Sequence, residues 1–236
     1  MQRDWEFNVE LVEFDDSYFQ ERHLNDSRRL KSFSLEKEFI LKFANLDLTV
    51  CDVGCSTGEF LSFLSWKGAK YGLEINKFAA NEARKRSIKI IESLNDCSRD
   101  LEVIIMRGTI QHLPSPFEFI ESAYKKLAPG GVLLFLATPN IDSIYYRIFR
   151  DLPALDYPRN FWLPGAKHLK LVATRVGFNF MDAEFPYFNS GYASLWDIPK
   201  FLLRFFSRSR IFQSSFPGNM MNMAFAKPLL EINSKS

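Results

Sequence analysis

The hydrophobic pattern changes period repeatedly along the chain, which is typical of proteins that alternate strands with helices. Short apolar runs predict strands, and stretches in which apolar residues recur every three or four positions predict helices. The predicted strands are 48–53, 70–75, 88–91, 101–106, 132–137, 178–183 and 220–226. The predicted helices are 34–43 with Ser34 as the N-cap, 59–67, 77–86, 117–127 and 167–176.

Strands that alternate with helices of about ten residues predict βαβ units in a mostly parallel sheet, which is an α/β fold. Right-handed crossovers bring the carboxyl ends of the parallel strands to one edge, where ligands bind in open sheets. We expect an N-terminal arm over 1–33, one domain over 34–228 and a tail over 229–236. Two aromatic insertions, 140–164 and 185–219, are expected to form a substrate cap.

The composition excludes several classes of protein. Of 236 residues, 47% are hydrophobic and 25% charged, so the chain can bury a sizeable core and is not mainly disordered. Lysine and arginine number 30 against 28 acidic residues, a balance that gives no reason to expect a nucleic-acid partner. Three cysteines make no disulfide framework, the first residues form no signal sequence, and no apolar run is long enough to span a bilayer. We therefore expect a soluble, cytoplasmic protein.

The sharpest local feature is a glycine-containing turn, VCDVGCSTG over residues 50–58, placed where the first strand gives way to a helix. Glycines at such a turn permit positive φ and let a ligand approach the backbone, and a helix N-terminus attracts a carboxylate or phosphate. Asp52 ends an apolar strand and is costly to bury without a partner, which a cationic or N–H-rich ligand would supply. The alternative is a purely structural tight turn.

A second acid, Glu74, ends the second predicted strand, roughly 20 residues after the turn, where a carboxylate can accept both hydroxyls of a ribose. The dinucleotide fingerprint G-x-G-x-x-G is absent, because Gly54 and Gly58 are four apart with Ser56 between them. A pyrophosphate also fits poorly beside Asp52. The pattern therefore favours an adenosyl ligand that ends in an amino acid over a nicotinamide dinucleotide.

Residues 52–58, DVGCSTG, resemble the first motif of the class I S-adenosylmethionine (SAM)-dependent methyltransferases, and Glu74 matches their acidic second-strand residue. Residues 106–113, MRGTIQHL, resemble the fourth-strand segment of the ubiquinone-methyltransferase-like branch of that family. LAPGG at 127–131 and ATPN at 137–140 resemble the entry to and exit from its fifth strand.

This resemblance extends over about residues 48–183 and implies both a fold and a cofactor. The fold is Rossmann-like, a seven-stranded mostly parallel sheet with helices on both faces, and 220–226 would be its inserted antiparallel strand. The cofactor would be SAM, with S-adenosylhomocysteine (SAH) as the product.

The resemblance also implies roles for individual positions. The loop 54–58 would hold the methionine part, Asp52 its amino group and Glu74 the ribose. The turn 92–94 would lie against the adenine, and 107–112 would line the space near the sulfonium. The residues assigned to the cofactor are Asp52, Gly54, Cys55, Ser56, Gly58, Glu74, Ile75, Ser93, Leu94, Arg107 and Gly108.

Two histidines are candidates for a general base that would assist a hydroxyl nucleophile. His112 lies at the end of the fourth strand and His168 near the start of a helix, and each could instead have a structural role. His23 belongs to the predicted arm and is expected to face solvent. Tyr18 and Phe19 of the arm could cover the sulfonium by cation–π contact or simply anchor the arm.

No metal site is assigned. Gln111 precedes His112 where relatives often carry an acid that helps to hold a metal, so the sequence argues against a metal-assisted mechanism. Cys51 and Cys55 have no second pair of ligands, and together with Cys97 they are expected to be small core residues.

The second insertion carries an amphipathic stretch. Its apolar positions keep helical spacing at Leu195, Ile198, Leu202 and Phe205, with Phe201 and Phe206, and the opposite basic stripe is Lys200, Arg204 and Arg208. Such a helix can lie on an anionic membrane surface, cover a lipid-linked substrate, act as a lid or form a homodimer contact.

Together these features predict a SAM-dependent methyltransferase that acts on a hydroxyl of a small-molecule, carbohydrate or lipid-linked acceptor. Two other functions are left open. One is a non-catalytic methyltransferase-like module that binds a partner, and the other, disfavoured by the loop spacing, is an NAD-dependent oxidoreductase.

Overall fold

Seven strands joined side by side make one sheet through the molecule, in the order β3-β2-β1-β4-β5-β7-β6. The computed structural model describes residues 27–155, 160–207 and 209–229. The strands are β1 (Val50–Val53), β2 (Lys70–Leu73), β3 (Lys89–Ile91), β4 (Leu101–Arg107), β5 (Leu127–Pro139), β6 (Asn179–Glu184) and β7 (Met220–Ala226).

The last strand runs against the others. β7 pairs antiparallel with both β5 and β6, whereas the pairings among β1 to β5 are all parallel. The chain therefore inserts β7 between β5 and β6, which confirms the predicted sheet of six parallel strands and one antiparallel strand. Because β2, β1 and β4 are neighbours and parallel, their carboxyl ends meet at one edge.

Helices cover both faces of this sheet. They are α1 (Ser27–Leu41), α2 (Glu59–Phe63), α3 (Lys77–Lys85), α4 (Pro116–Lys126), α5 (Ile144–Phe149), α6 (Ala166–Val176) and α7 (Asp197–Arg204). Three short 3-10 turns lie at Leu94–Asp96, Ile110–His112 and Arg210–Phe212. Within the described residues, no helix combines the length and the apolar character needed to cross a bilayer.

Two apolar layers follow from the alternation of side chains along the central strands. In β5, Leu133 and Phe135 join the layer under α4 and α6, whereas Leu134 and Leu136 join the layer under α1, α2 and α3. Both layers are buried, so the central strands carry apolar residues at nearly every position rather than at alternate ones. This explains why short unbroken apolar runs located the strands.

Helix α1 spans Ser27–Leu41 and contains Ser34 in its interior, so the prediction of Ser34 as its N-cap is wrong. The Ser34 hydroxyl donates to the Leu30 carbonyl at 3.0 Å, as a serine does inside a helix. Phe33 has no exposed surface and packs its ring against Phe60, 5.0 Å away between ring centres. Contact with α2 thus extends α1 into a segment whose local pattern is polar.

The two insertions pack on each other through an aromatic cluster, defined as Tyr145, Phe149, Phe201 and Phe216. The Phe201 ring stacks on Phe216 with centres 4.7 Å apart and meets the edge of Phe149 at 5.5 Å. Tyr145 is fully buried at the centre of this small core.

The basic stripe predicted along α7 does not form on its outer face. Arg204 is only 5% exposed, and its Nη2 donates to Asp151 Oδ2 at 2.8 Å. Phe201 packs in the aromatic cluster, which sets the rotation of α7 about its axis. Because Arg204 lies three residues after Phe201, on the same side of the helix, it also points inward. Arg208, the third residue of the predicted stripe, lies outside the described residues.

Candidate active site

The turn between β1 and α2 is held by the sheet edge on which it lies. The amides of Gly54 and Cys55 both donate to the Leu73 carbonyl at the end of β2, at 2.8 and 3.1 Å. Gly54 has φ +72°, and a Cβ there would lie 2.7 Å from the Thr109 hydroxyl, so only glycine fits this position. Thr109 in turn donates to the Val53 carbonyl at 2.8 Å, which ties the ends of β1 and β4 together.

The glycines are explained by packing as well as by ligand access. Gly58 also has positive φ, +77°, and a Cβ on it would lie 2.5 Å from Ile88 Cδ1. Ser56, between the glycines, tolerates φ +52°. Cys55 turns its side chain into the apolar layer and, like Cys51 and Cys97, is a buried free thiol, as predicted. The loop therefore presents backbone at its surface.

Asp52 lies beneath this loop as a buried carboxylate whose Oδ1 accepts no hydrogen bond from the described residues. Burial raises its pKa to about 7 against the lowering effect of the Arg107 guanidinium, and the carboxylates of Glu74 and Glu36 raise it further. The Ser56 hydroxyl is also buried without a hydrogen-bond partner among these residues. Such a site suits a ligand that brings positive charge and N–H donors.

Glu74 joins the loop to β2. Its Oε2 accepts from the Ser56 amide at 2.8 Å, and its Oε1 accepts from the Asn76 amide at 2.9 Å. Each carboxylate oxygen has a second acceptor position, so these bonds orient the group and leave capacity for hydroxyl donors. The neighbouring Asn76 caps α3 by accepting from Ala79 at 2.8 Å.

Arg107, the last residue of β4, is held in place by an ion pair with Glu36 of helix α1. Its Nε and Nη2 donate to the two oxygens of Glu36 at 2.5 and 3.1 Å, a bidentate pair, and its guanidinium lies 4.5 Å from the Phe33 ring centre. Glu36 is 2% exposed on α1 and was not predicted. Its partner is 71 positions away in sequence, so no local pattern could have revealed it.

The turn Ile110–His112 carries the candidate base. The Gln111 side chain donates to the Gly108 carbonyl at 2.9 Å and lies 3.3 Å from His112 Nε2. The main-chain carbonyl of Gln111 accepts from the main-chain amides of Phe161 and Trp162, at 2.9 and 3.2 Å. Gln111 therefore organises both the histidine and the end of the first insertion.

A cavity of about 950 Å³ opens along this edge, close to the upper end of the roughly 300–1,000 Å³ typical of small-ligand sites. It brings together seven of the predicted residues. These are Gly54, Ser56, Glu74, Ile75, Arg107, Gly108 and His112.

The other predicted residues lie away from the cavity wall. Asp52, Cys55 and Gly58 lie in or beneath the loop, whereas Ser93 caps the turn Leu94–Asp96 and Leu94 packs in the core. The cavity reaches Glu92 instead, one position before Ser93. His168 is exposed on the first turn of α6 and is not part of the wall.

Some wall residues were not predicted although the sequence carried a signal for them. Lys77, Asn81 and Arg84 line the cavity from α3. They follow Glu74 at i, i+4 and i+7 spacing, which places them on one face of a helix that starts at the ligand edge. Tyr18, Phe19 and His23 lie outside the described residues, so their proposed contacts stay predictions.

Comparison with known proteins places this geometry in a family. The family described as "Methyltransferase domain" matches residues 23–183 of this chain. The tRNA U34 carboxymethyltransferase of Aeromonas hydrophila is 29% identical over 144 residues, which cover 55% of this chain and 44% of that protein. The mitochondrial ubiquinone biosynthesis O-methyltransferase of Saccharomyces cerevisiae is 26% identical over 111 residues, 42% of this chain and 36% of that protein. The chain thus spans less than half the length of these curated relatives.

Solved structures agree on the fold. A SAM-dependent methyltransferase from Archaeoglobus fulgidus aligns with a TM-score of 0.61 over 90% of this chain and 100% of that one, at 21% identity. Magnesium protoporphyrin IX methyltransferase from Synechocystis PCC 6803, solved with bound SAH, aligns with a TM-score of 0.55 over 85% and 84%, at 12% identity.

The sheet order and the loop at its edge define a Rossmann-like fold of the methyltransferase type. The chain belongs to the methyltransferase-domain family, in the class I SAM-dependent branch, and SAM is the cofactor of that class. Asp52 Oδ1 and Ser56 Oγ, which are buried and have no partner among the described parts of the chain, fit the ammonium group that such a cofactor carries.

Proposed function

We propose that this protein transfers the methyl group of SAM to a hydroxyl oxygen of a small-molecule, carbohydrate or lipid-linked acceptor. The observation that supports it is the placement of His112 on the wall of the same cavity as Gly54, Ser56 and Glu74. A base beside the cofactor loop suits an acceptor that must lose a proton. One relative of this chain is an O-methyltransferase, which points to oxygen as the attacked atom.

In this proposal the protein binds and orients, while the cofactor supplies a methyl group on a positively charged sulfur. Asp52 and the backbone of the loop 54–58 hold the amino-acid end, and Glu74 holds the ribose hydroxyls. Glu36 and the Phe33 ring position Arg107 at the edge of the cavity, where its charge favours the ionised form of Asp52.

His112 takes the proton of the acceptor hydroxyl as the new carbon–oxygen bond forms and the carbon–sulfur bond breaks. Gln111 holds the turn that carries the imidazole, so the ring is positioned before the acceptor arrives. A correctly positioned base contributes about 10²–10⁴-fold to the rate. His168, the second candidate, is exposed outside the cavity and would need a movement of α6 to take this role.

Binding is tested first. Titration of the protein with SAH and with NAD in a calorimeter should give heat for SAH alone. Binding of NAD without SAH would instead indicate an oxidoreductase.

Turnover is tested by release of SAH in the presence of sugar nucleotides, glycolipids, phenols and, as a separate arm, tRNA. We expect a hydroxyl acceptor to be methylated, and His112→Ala to lower kcat about 10²–10⁴-fold with SAH affinity almost unchanged. His168→Ala should keep the wild-type rate. Methylation of tRNA alone would overturn the proposed acceptor class, and SAH binding without turnover on any arm would favour the non-catalytic module.

A further inference from the structure

The outer face of α7 is apolar and exposed. Leu195, Ile198, Leu202 and Phe206 follow one another at helical spacing, and Leu195 and Phe206 are 97% and 89% exposed. Trp196 and Phe205 flank this stripe with 68% and 57% of their surface exposed. We call these six residues the α7 face. A contiguous apolar surface of this kind is uncommon on a monomer and indicates an interaction site.

The contacts of the inner side keep this face pointing outward. Phe201 stacks within the aromatic cluster, and Arg204 donates to both Asp151 and the Ser209 carbonyl. Asp197, at the start of α7, is 5% exposed and accepts from the Tyr187 hydroxyl at 2.9 Å. A roll of the helix that buried the α7 face would break these polar contacts in an apolar setting, so the orientation is stable.

Helix α5 extends the same kind of surface. Its Phe149 ring lies 5.1 Å from Phe205, which connects the two helices. Ile144 and Ile148 are 61% and 46% exposed, and Arg147 beside them is exposed as well. Exposed apolar side chains therefore lie on both of these packed helices, and the basic residues Arg147 of α5 and Lys200 of α7 lie next to them in the chain.

Charge distinguishes the possible occupants of this surface. In the second insertion, 185–219, Arg204 is paired inside with Asp151, whereas Lys200 is partly exposed and the single acid, Asp197, is buried. A symmetric dimer through the α7 face would bring the same basic residues against each other, which is unfavourable. An anionic lipid surface attracts basic groups and also accepts leucine, phenylalanine and tryptophan side chains at its boundary.

We infer that the protein docks on anionic membranes through the α7 face, with Ile144 and Ile148 of α5 at its edge. The aliphatic and aromatic side chains enter the boundary between head groups and acyl chains, and Lys200 and Arg147 contact the anionic head groups. Arg204 takes no part in lipid contact, because Asp151 holds it inside. This inference does not depend on which acceptor is methylated.

The test is co-sedimentation of the full chain with vesicles of phosphatidylcholine alone and of phosphatidylcholine mixed with phosphatidylglycerol. We expect binding to the mixed vesicles, and a loss of partitioning of roughly tenfold or more for Leu202→Ser/Phe206→Ser. The matched control is Leu171→Ser/Met181→Ser, which removes two half-exposed apolar side chains elsewhere and should bind as the wild type does. Retained SAH binding shows that each variant is folded.

Lys200→Ser/Arg147→Ser should weaken binding to mixed vesicles by a smaller factor, and the effect should shrink at high salt. Trp196 adds a direct probe, because its fluorescence should shift to shorter wavelength on mixed vesicles and the shift should vanish in Trp196→Phe. Absence of wild-type binding, or equal binding by Leu202→Ser/Phe206→Ser, would overturn the inference. So would a dimer in the ultracentrifuge that Leu202→Ser/Phe206→Ser converts to monomer while vesicles bind neither form.

Discussion

Asp52 beneath the glycine loop is buried and Asp151 between the insertions is partly buried, and the two carboxylates differ in what they contact. Asp52 leaves Oδ1 without a donor among the described residues, and its pKa is raised to about 7. Asp151 accepts from both Arg204 and Gln213. The loop therefore leaves Asp52 Oδ1 for a ligand to satisfy, whereas the insertions pair Asp151 with Arg204 internally and leave apolar side chains outside. One region therefore suits a cationic ligand, whereas the other exposes the apolar side chains on which the inferred membrane docking rests.

The largest effect on stability is expected from removal of one partner in the insertions. Arg204→Ala removes the cation that pairs with the partly buried Asp151 and should lower the free energy of unfolding by about 2–4 kcal/mol, with SAH affinity unchanged. Thermal and urea unfolding measure the loss. Lys42→Ala is the matched control, because Lys42 pairs with Glu184 and Asp182 at the surface and should have no resolvable effect. If Arg204→Ala loses no more stability than Lys42→Ala, the pair between Arg204 and Asp151 does not stabilise the fold.

The opposite sign is expected at Asp52. A carboxyl whose pKa is raised on folding costs stability as the pH rises through about 4 to 7, and the cost persists above pH 7. Asp52→Asn should therefore stabilise the ligand-free protein at pH 8 by on the order of 2–4 kcal/mol, and the gain should disappear near pH 4. Urea unfolding at the two pH values measures this difference.

The same substitution should weaken SAH binding at pH 8 by about 10–100-fold, because a charged acceptor for the ammonium is lost. In the wild type, affinity should fall below about pH 7, by up to tenfold per pH unit, as Asp52 takes up a proton. Calorimetric titration between pH 5.5 and 8.5, chosen to bracket that value by roughly 1.5 units, follows both proteins. A profile in Asp52→Asn as steep as that of the wild type would assign the dependence to another group.

A smaller effect is expected at Glu74. Glu74→Ala should weaken SAH binding by about 1–3 kcal/mol, because the amides of Ser56 and Asn76 and, in the proposed binding mode, the ribose hydroxyls lose their acceptor. Glu74→Gln keeps one acceptor oxygen, so its affinity for SAH should lie between that of the wild type and that of Glu74→Ala. Glu82→Ala on α3 serves as the control and should bind SAH as the wild type does. Full affinity in Glu74→Ala would remove the ribose assignment.

The smallest effect is expected on the α7 face. Leu202→Ser should change the free energy of unfolding by less than about 0.5 kcal/mol, because Leu202 is exposed. The adjacent Phe201→Ser should be clearly destabilising, since its ring stacks in the aromatic cluster. A large loss in Leu202→Ser would mean that α7 is rolled the other way.

Prediction from the sequence worked where the physical signal was local. The strands β1 to β5 were located because buried parallel strands are short unbroken apolar runs. Gly54, Ser56 and Glu74 were placed in one site because the carboxyl ends of adjacent parallel strands share an edge. The position of β7 was predicted only through the family resemblance, because nothing in 220–226 itself specifies its neighbours.

Prediction from the sequence was wrong or incomplete where contacts between residues far apart in the chain determine the structure. The extension of α1 to residues before Ser34 depends on Phe33 packing against Phe60, and the position of Glu36 depends on Arg107. The spacing along 195–206 located α7 but could not tell which of its two faces would be buried.

The sequence by itself determined the order of the strands and of most helices, the glycine loop and the acids at the ends of β1 and β2, because these depend on local periodicity and on spacing of a few residues. Only the tertiary structure decided which charges are satisfied. Asp52 Oδ1 lacks a donor among the residues that the structure describes, whereas Arg204 has an acceptor in Asp151, 53 positions away in the chain. The energy of a buried charge depends on the groups that fold against it. The order of residues in the sequence does not give the distances to those groups.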